Sequence, residues 1–218
     1  AAMGMDAPQL RGRDAAMYEL RQDHPRLRIF EKDGRIHKLV DRQLASGETP
    51  RASADAFLNT WAPALGVKAD DFIERGPFPD GHDVQGIMYQ PQSGDYKFTG
   101  VYWTQAADGM PVWGTRLQAL VRNVPGFPVV HATSDLRDVT GFVAPGRVAA
   151  NDAMALITAA QRLGRDVSVG DVELMVFAGT SEQPHAPRAA LVFDAQVGSP
   201  ADPATHEKLL LVADAMTG

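Results

Sequence analysis

The chain has 218 residues, a formal net charge of −6 and no cysteine. The missing cysteines exclude disulfides, thiolate metal sites and cysteine nucleophiles, and the negative charge argues against a general nucleic-acid binder. Hydrophobic residues make up 44% and charged residues 22% of the sequence, which is typical of a globular chain with a buried core. At about 150 residues per domain, this length accommodates one large domain or two small ones.

The sequence shows neither a membrane span nor a signal peptide. No stretch reaches the roughly 18 apolar residues that a membrane span requires. Charged residues interrupt the first twenty positions, and residues 1–4 are either native or left by processing. A protein without cysteine is compatible with either side of a membrane, so composition alone leaves the compartment open.

The first predicted elements are a helix and a β-hairpin. The helix is predicted over residues 13–21, and it ends before His24-Pro25 because a residue that precedes proline is pushed out of the α region. The hairpin is predicted over residues 27–40, since Asp33-Gly34 between two β-prone runs allows the positive φ angles that a tight turn needs.

A second helix is predicted over residues 53–65, with Ser53 as its N-cap and Gly66 as its C-terminal stop. Its apolar residues recur at helical spacing and would form one face. Pro63 interrupts this pattern and is predicted to kink the helix or to end it at Ala62. The predicted apolar face consists of Ala54, Phe57, Leu58, Trp61, Ala62 and Leu65.

Residues 84–136 have the alternation and the turn signals of consecutive β-strands. Asp108-Gly109 marks one of the turns, and short connections of this kind indicate an antiparallel meander. Val101 and Trp103 are predicted to lie on one face of their strand. The predicted strands are 84–90, 96–105, 110–113, 115–123 and 129–133.

A third helix is predicted over residues 151–163, with Asn151 as its cap and Gly164 as its stop. Strands follow it, so a helix and then an antiparallel meander occur twice, with the break placed at residues 141–149. The chain is therefore predicted to be α+β, with a helix packed on an antiparallel sheet in each half. The predicted helix stripe is Ala153, Leu156, Ile157, Ala160 and Leu163, and the predicted strands are 172–178, 189–197 and 208–213.

The sequence contains none of the common catalytic or phosphate-binding motifs that we searched for. G-x-S-x-G, G-x-x-x-x-G-K and G-x-G-x-x-G are all missing. His206-Glu207 begins a partial H-E-x-x-H motif, but Leu210 replaces the second histidine and the run leads into a predicted strand. A loop-to-strand edge is the favoured interpretation. We therefore predict no catalytic residue, no metal site and no cofactor.

Several acidic residues allow a binding or a structural interpretation, and the structural one is favoured each time. Asp80, His82 and Asp83 are either metal ligands or part of a polar loop. Asp70, Asp71 and Glu74 form either an acidic site or a solvated turn after the second helix. Asp194 is either an inward carboxylate or a strand residue that faces water.

The aromatic residues Tyr102, Trp103 and Trp113 allow the same two interpretations. Together they are either a stacking platform for bases or sugars, or residues that pack in the core and on the sheet. The acidic charge balance weighs against nucleic acid, so core packing is the favoured interpretation.

The segment Gly109-Met110-Pro111-Val112-Trp113-Gly114 carries a resemblance to a known family. With Thr115-Arg116-Leu117 it resembles the G-[IM]-P-V-[FW]-G-[GS]-x-L stretch of the FTP domain, the propeptide domain of fungalysin/thermolysin-type metalloproteases. Residues 52–58 resemble the opening helix of that domain, and residues 25–44 resemble the segment before it. Thr115 departs from the second glycine of the family, and Pro63 interrupts the helix.

The second half of the chain is similar to a PepSY domain. Residues 151–163 fit the helix of that domain, and residues 209–218 resemble its closing strand and turn. The resemblance implies a lead-in at residues 1–26, an FTP-like unit at 27–141 and a PepSY-like unit at 142–218. Both units would be cystatin-like, each with a helix packed on an antiparallel sheet.

The resemblance also implies a function. In that family the two units form a non-catalytic propeptide region, an intramolecular chaperone and inhibitor of a secreted thermolysin-like zinc metalloprotease. The implied partner is the catalytic domain downstream in the precursor, and this chain stops at Thr217-Gly218. An inhibitor needs a large complementary surface rather than catalytic residues. Neither nucleic acid nor a membrane is an expected partner.

Two other functions stay open from the sequence. One is an accessory protein-interaction domain of the same fold in a secreted protein that lacks a protease. The other is a small-molecule-binding or enzymatic cystatin-like domain, which needs converging polar groups in a pocket. If the chain is a propeptide, Met110 and Trp113 are predicted to pack in or beside the sheet of the first unit, and Gly114 is predicted to serve folding more than binding.

Overall fold

The computed structural model of the chain describes residues 7–146, 152–163, 167–199, 201 and 206–216. Within these residues the chain forms three α-helices and antiparallel sheets, which confirms the predicted α+β class. The helices are α1 (Ala7–Asp23), α2 (Pro50–Trp61) and α3 (Asp152–Leu163). The strands are β1 (Arg28–Lys32), β2 (Arg35–Ala45), β3 (Phe72–Ile73), β4 (Val84–Gln90), β5 (Asp95–Ala107), β6 (Met110–Pro111), β7 (Arg116–Arg122), β8 (Val129–Asp135), β9 (Val167–Gly179), β10 (Pro184–Val197) and β11 (Glu207–Asp214).

The chain divides into two compact units. The first unit consists of residues 1–105 and 114–138, and the second consists of residues 106–113 and 139–218. The predicted lead-in therefore contributes α1 to the first unit. Residues 106–113, which contain most of the family-like motif, belong to the second unit.

The first unit is built on an antiparallel sheet with the order β1-β2-β8-β7-β5, and β3 and β4 both pair with the remaining edge of β5. The predicted hairpin is confirmed as β1 and β2. Its turn places Asp33 at φ 53° and Gly34 at φ 74°, the positive angles that the Asp-Gly sequence favours. Helix α1 ends before His24-Pro25, as predicted.

Helix α2 begins three residues earlier than the sequence predicts, and its N-cap lies four residues earlier. Thr49, not Ser53, is its N-cap: the Thr49 backbone is extended, and its Oγ1 accepts a hydrogen bond from the Ala52 amide at 3.1 Å. Pro50 occupies the first turn, where its missing N–H is not needed. At the other end, Pro63 converts the last turn into a 3₁₀ helix over Ala62–Leu65, and Gly66 stops it at φ 82°, as predicted.

This cap makes a prediction about the free energy of unfolding. We expect Thr49→Ala to lower it by about 1 kcal/mol, because the replacement removes the acceptor for an otherwise unpaired helix amide. Ser53→Ala should be neutral or stabilising, because the buried Ser53 Oγ has no hydrogen-bond partner in the described structure. Urea unfolding of the two variants measures both values. A larger loss for Ser53→Ala than for Thr49→Ala would contradict the assignment.

The core of the first unit lies between α2 and the sheet. Phe57 and Trp61 of α2 pack with the inward residues Val101 and Trp103 of β5, as the sequence patterns predict. The Trp61 Nε1–H is buried and donates a hydrogen bond to the Leu44 carbonyl at 3.0 Å, so its polar group is satisfied. The predicted apolar face of α2 is therefore confirmed.

The second unit contains a three-stranded antiparallel sheet, β11-β10-β9, with α3 on one face. Leu191 and Phe193 of β10 form the centre of its core and are almost fully buried. Among the residues of α3 whose burial is described, Ala155 and Ala159 are fully buried.

The predicted stripe of α3 is wrong at Leu156, Ile157 and Ala160, which are exposed, and the burial of Ala153 lies outside the described part of the chain. Leu156 is 44% exposed and Ile157 is 57% exposed, whereas the alanines Ala155 and Ala159 face the core. The small alanine side chains allow the helix to lie close to the sheet. The helix therefore turns its alanine face, rather than the face with its largest apolar residues, toward the core. Of the predicted stripe, Leu163 packs against the core. The predicted cap Asn151 and stop Gly164 lie outside the described residues.

Candidate functional site

The motif segment forms a tight turn and a short strand. Asp108 at φ 48° and Gly109 at φ 78° make the turn, as predicted. The strand that follows, β6, pairs with Ala106 and Ala107 at the end of β5. On the far side of the turn, Asp108 Oδ2 accepts a hydrogen bond from the Ala144 amide at 2.9 Å. These contacts hold the segment in a fixed path within the second unit.

Val112 and Trp113 attach this segment to strand β9. Val112 is fully buried and forms an isolated parallel bridge with Val176. The Trp113 amide donates a hydrogen bond to the Val176 carbonyl at 2.9 Å. The Trp113 ring lies 5.5 Å from the Phe177 ring at a tilt of 43°. The segment therefore adds backbone pairing and two apolar side chains to the edge of the second sheet.

Met110 and Trp113 are predicted to pack in or beside the sheet of the first unit; β6 does pair with the end of β5, but both side chains pack in the second unit. Met110 packs against the core of the second unit, and Trp113 contacts β9 of the same unit. The reason is the backbone pairing of Val112 and Trp113 with Val176, a contact between distant parts of the sequence that no local pattern reveals.

Gly114, the last motif residue, belongs to the first unit. It is exposed at φ 68°, and its carbonyl accepts a hydrogen bond from the Arg137 guanidinium at 3.4 Å. A Cβ atom at this position would have only the Arg137 side chain within 4 Å, at 3.9 Å, so it would not clash. A larger residue would be destabilising here because the positive φ strains any residue that has a Cβ atom. That the residue serves folding more than binding stays a prediction.

A buried polar network lies next to Gly114, and no sequence pattern predicts it. Gln105 is almost fully buried, and its amide group pairs with the backbone of Arg137: Nε2 donates to the Arg137 carbonyl at 3.0 Å, and Oε1 accepts from the Arg137 amide at 2.8 Å. The backbone N–H of Gln105 also donates a hydrogen bond to Thr115 Oγ1 at 3.2 Å. The Gln105 side chain thus forms two hydrogen bonds with the backbone of Arg137, as a paired strand residue would. This is a structural role.

Arg51 is the centre of an ionic cluster in the first unit. Its Nε donates to Asp55, one helical turn ahead, at 2.8 Å, and its two terminal nitrogens bind Asp83 and Glu74. The guanidinium also lies 5.7 Å from the centre of the Trp103 ring. The cluster joins α2 to the segment between β3 and β4. Glu74 and Asp83 are therefore engaged in structure, in agreement with the structural interpretation.

The polar loop at residues 80–83 shows no arrangement for a metal. Asp80 accepts hydrogen bonds from the His82 ring and amide, and these bonds hold the pKa of Asp80 below its usual value. Asp83 points instead to Arg51. Over all the residues that the structure describes, no three or more His, Asp and Glu side chains are grouped as metal ligands.

The remaining candidates also have structural positions. Strand β11 begins at Glu207, so the partial H-E-x-x-H motif leads into a strand, as predicted. Asp194 is exposed, which agrees with the favoured interpretation of that residue. Trp103 is 2% exposed and Tyr102 is 5% exposed, so neither offers a free ring face for stacking.

A histidine–carboxylate pair lies beside an open depression in the first unit. His24 Nδ1 is 2.9 Å from Asp41 Oδ2, and the edge of the His24 ring meets Trp61 with 5.6 Å between the ring centres. The depression has a volume of about 440 Å³ and is lined by Arg21, His24, Pro25, Leu27 and Ile29. A hydrolytic site also needs a nucleophilic side chain that is hydrogen-bonded to the histidine. In the described part of the chain the His24 side chain bonds only to Asp41, so the pair ties the end of α1 to β2.

His131 lies on the sheet face of the first unit that points away from α2, opposite Val40 and Leu120 in the strand pairing. Burial holds its pKa below the ordinary value, and the positive charges of Lys38 and His37 lower the pKa further. Protonation of His131 is therefore unfavourable in the folded protein.

This shift predicts a pH dependence of stability. The unfolded chain takes up a proton on His131 near the ordinary pKa of about 6.5, whereas the folded protein resists it until lower pH. Stability should therefore be complete above that value and should fall as pH drops from it toward the folded pKa. We expect His131→Gln to flatten this slope in urea titrations at a series of pH values. His185→Gln, at an exposed histidine, is the control, and an unchanged slope in His131→Gln would refute the assignment.

No protein-family model matches the chain, and no curated protein matches its sequence. None of the helices in the described ranges is both long and apolar enough to cross a membrane. The functional proposal below therefore depends on the motif resemblance and on the surfaces of the two units.

Proposed function

We propose that the chain is a non-catalytic propeptide region, an intramolecular chaperone and inhibitor of a secreted thermolysin-like zinc metalloprotease. We interpret the first unit as the FTP-like part and the second as the PepSY-like part, each of them cystatin-like. The motif Gly109–Gly114 and the order of helix and strands support this interpretation. The partner is the catalytic domain of such a protease.

The observation that carries the proposal is the apolar surface of α3. A helix that packs on a sheet normally buries its largest apolar residues, but α3 buries Ala155 and Ala159 and exposes Leu156 and Ile157. Adjacent exposed aliphatic side chains are typical of protein-binding surfaces. They lie on a regular helix, which presents them with little loss of conformational entropy on binding.

The edge strand β11 adds a second apolar surface to the same unit. Leu210 is 55% exposed and Val212 is 37% exposed, and both alternate with the inward residues Leu211 and Ala213. Met216, just beyond the strand, is 64% exposed. An edge strand also keeps backbone amide and carbonyl groups available for pairing with an extended segment of a partner.

These surfaces suit the two proposed activities. As a chaperone, the second unit would cover apolar surface of the catalytic domain while that domain folds. As an inhibitor, it would bind the native domain and block access to the active site by covering it. Neither activity requires a catalytic residue in this chain, and both require an interface of about 1,200–2,000 Å².

Refolding of a denatured thermolysin-like catalytic domain tests the proposal. We expect the chain to increase the recovered peptidase activity, and Leu156→Glu/Ile157→Glu to abolish most of this gain because two charges replace the apolar surface. Ala160→Glu/Gln161→Glu, at exposed positions of the same helix, is the matched control. If neither the chain nor its control variant aids refolding of this domain, the chaperone role is refuted.

A further inference from the structure

The sheet of the first unit has one face that α2 does not cover, here called the outer sheet face. Directly opposite residues of an antiparallel pair have side chains on the same face. Arg28 lies opposite Val40, Val40 opposite His131, and His131 opposite Leu120. The inward residues Leu39 and Ala119 alternate with Val40 and Leu120 and belong to the core. The register therefore places one row of side chains across four strands of this face.

The neighbouring rows add basic residues. Lys38 lies opposite Thr133, Arg122 lies opposite Phe98, and Arg116 lies opposite Asp135. Arg28, Lys38, Arg116 and Arg122 are all exposed. The register and the alternation along the strands thus place four long cationic side chains around the half-buried apolar residues Val40 and Leu120.

The four cations have no carboxylate partner among the described residues. Asp135, the acidic residue opposite Arg116, is bound to Arg137. The chain as a whole carries a net charge of −6, so the sign of this face is opposite to that of the molecule.

The arrangement fits a protein surface better than a nucleic acid. Tyr102, the aromatic residue at the centre of β5, is 5% exposed, and the Phe78 ring lies over it with 5.5 Å between the centres. A ring covered in this way cannot stack on a base. A small apolar centre with a charged rim is the usual layout of a protein–protein interface. Charge complementarity then requires an acidic partner.

We propose that the outer sheet face of the first unit binds an acidic surface of a protein partner. This interface is additional to the apolar surface of the second unit, and it does not depend on the proposed propeptide function. Arg28, Lys38, Arg116 and Arg122 attract the partner, while Val40 and Leu120 supply the apolar contact at the centre.

A binding titration with a fluorescein-labelled oligo-glutamate peptide tests the proposal. We expect binding that weakens as salt rises, since screening becomes strong beyond a Debye length of about 10 Å at 0.1 M salt. Arg116→Gln/Arg122→Gln should weaken binding about 3- to 30-fold, which corresponds to the loss of two rim charges. The matched control is Arg162→Gln/Lys208→Gln, two exposed cations of the second unit, which should bind as the wild type does. Circular dichroism verifies that all variants are folded.

Three results would overturn the proposal. The first is the absence of peptide binding at low salt. The second is an equal loss of binding in the two double variants, which would indicate a general charge effect. The third is tighter binding of single-stranded oligo-thymidylate, or of phosphatidylserine vesicles, than of the oligo-glutamate peptide at the same salt, which would assign the face to nucleic acid or to lipid.

Discussion

Val112→Asp should unfold the second unit while the first unit stays folded. Val112 is fully buried and pairs with Val176, so the variant places a carboxylate at a position that is shielded from water. Burial of an unpaired charge destabilises a protein by about 3–5 kcal/mol, a large part of the stability of a small domain. Hydrogen exchange followed by mass spectrometry reads the two units separately. Amide protection should fall in β9 and β10 and persist in β5 and β7.

Val143→Asp is the matched control, because Val143 lies in the same unit and is 76% exposed. This variant should keep the protection pattern of the wild type. Wild-type protection of β9 in Val112→Asp, or a loss that begins in the first unit, would contradict the assignment of residues 106–113 to the second unit.

Trp103→Ala should give the largest loss of stability in the first unit. Trp103 is 2% exposed, lies in the core beneath α2, and its ring is within 5.7 Å of the Arg51 guanidinium. The variant creates a cavity and removes the ring from under the ionic cluster, so we expect the free energy of unfolding to fall by about 3–5 kcal/mol. Guanidinium unfolding measures this loss. In the variant, Trp61 reports on the first unit and Trp113 on the second, because one tryptophan remains in each.

Tyr18→Ala is the control for this second change, since Tyr18 is an aromatic residue of the same unit but is 66% exposed. Its effect should stay within about 0.5 kcal/mol. A loss in Trp103→Ala no larger than that of Tyr18→Ala would show that the core of the first unit is not where the structure places it.

The strand-and-turn pattern was predictable from the sequence because its signals are local. The Asp33-Gly34 and Asp108-Gly109 turns depend on residues that tolerate positive φ, and the structure has positive φ at all four. Helix boundaries were less predictable. Thr49 and Ser53 are both good caps, and the choice between them depends on Pro50, which fits the first turn of a helix.

The positions of side chains in the tertiary structure were much less predictable. Periodicity alone assigned Leu156 and Ile157 to the buried face of α3, but the tight approach to the sheet selects Ala155 and Ala159 instead. The Arg51 cluster brings together carboxylates 23 and 32 residues further along the chain, at Glu74 and Asp83. Such contacts have no signature in a single sequence, because nothing local distinguishes their members from other exposed charges.

The basic character of the outer sheet face was not predictable from the sequence either. Arg28 and Lys38 lie in the β1–β2 hairpin, whereas Arg116 and Arg122 lie in β7, far along the sequence. The net charge of −6 gives no sign of a basic surface. Only the register of β1, β2 and β7 in the sheet brings them to one face.

An inhibition titration tests the central functional claim most directly. The purified chain is added in increasing amounts to native thermolysin, a catalytic domain of the proposed class, and residual peptidase activity is measured. We predict a saturable loss of activity, with Leu156→Glu/Ile157→Glu requiring at least about tenfold more protein, equivalent to about 1.4 kcal/mol of binding free energy. Full activity of thermolysin at a large excess of the folded chain would contradict the inhibitor function.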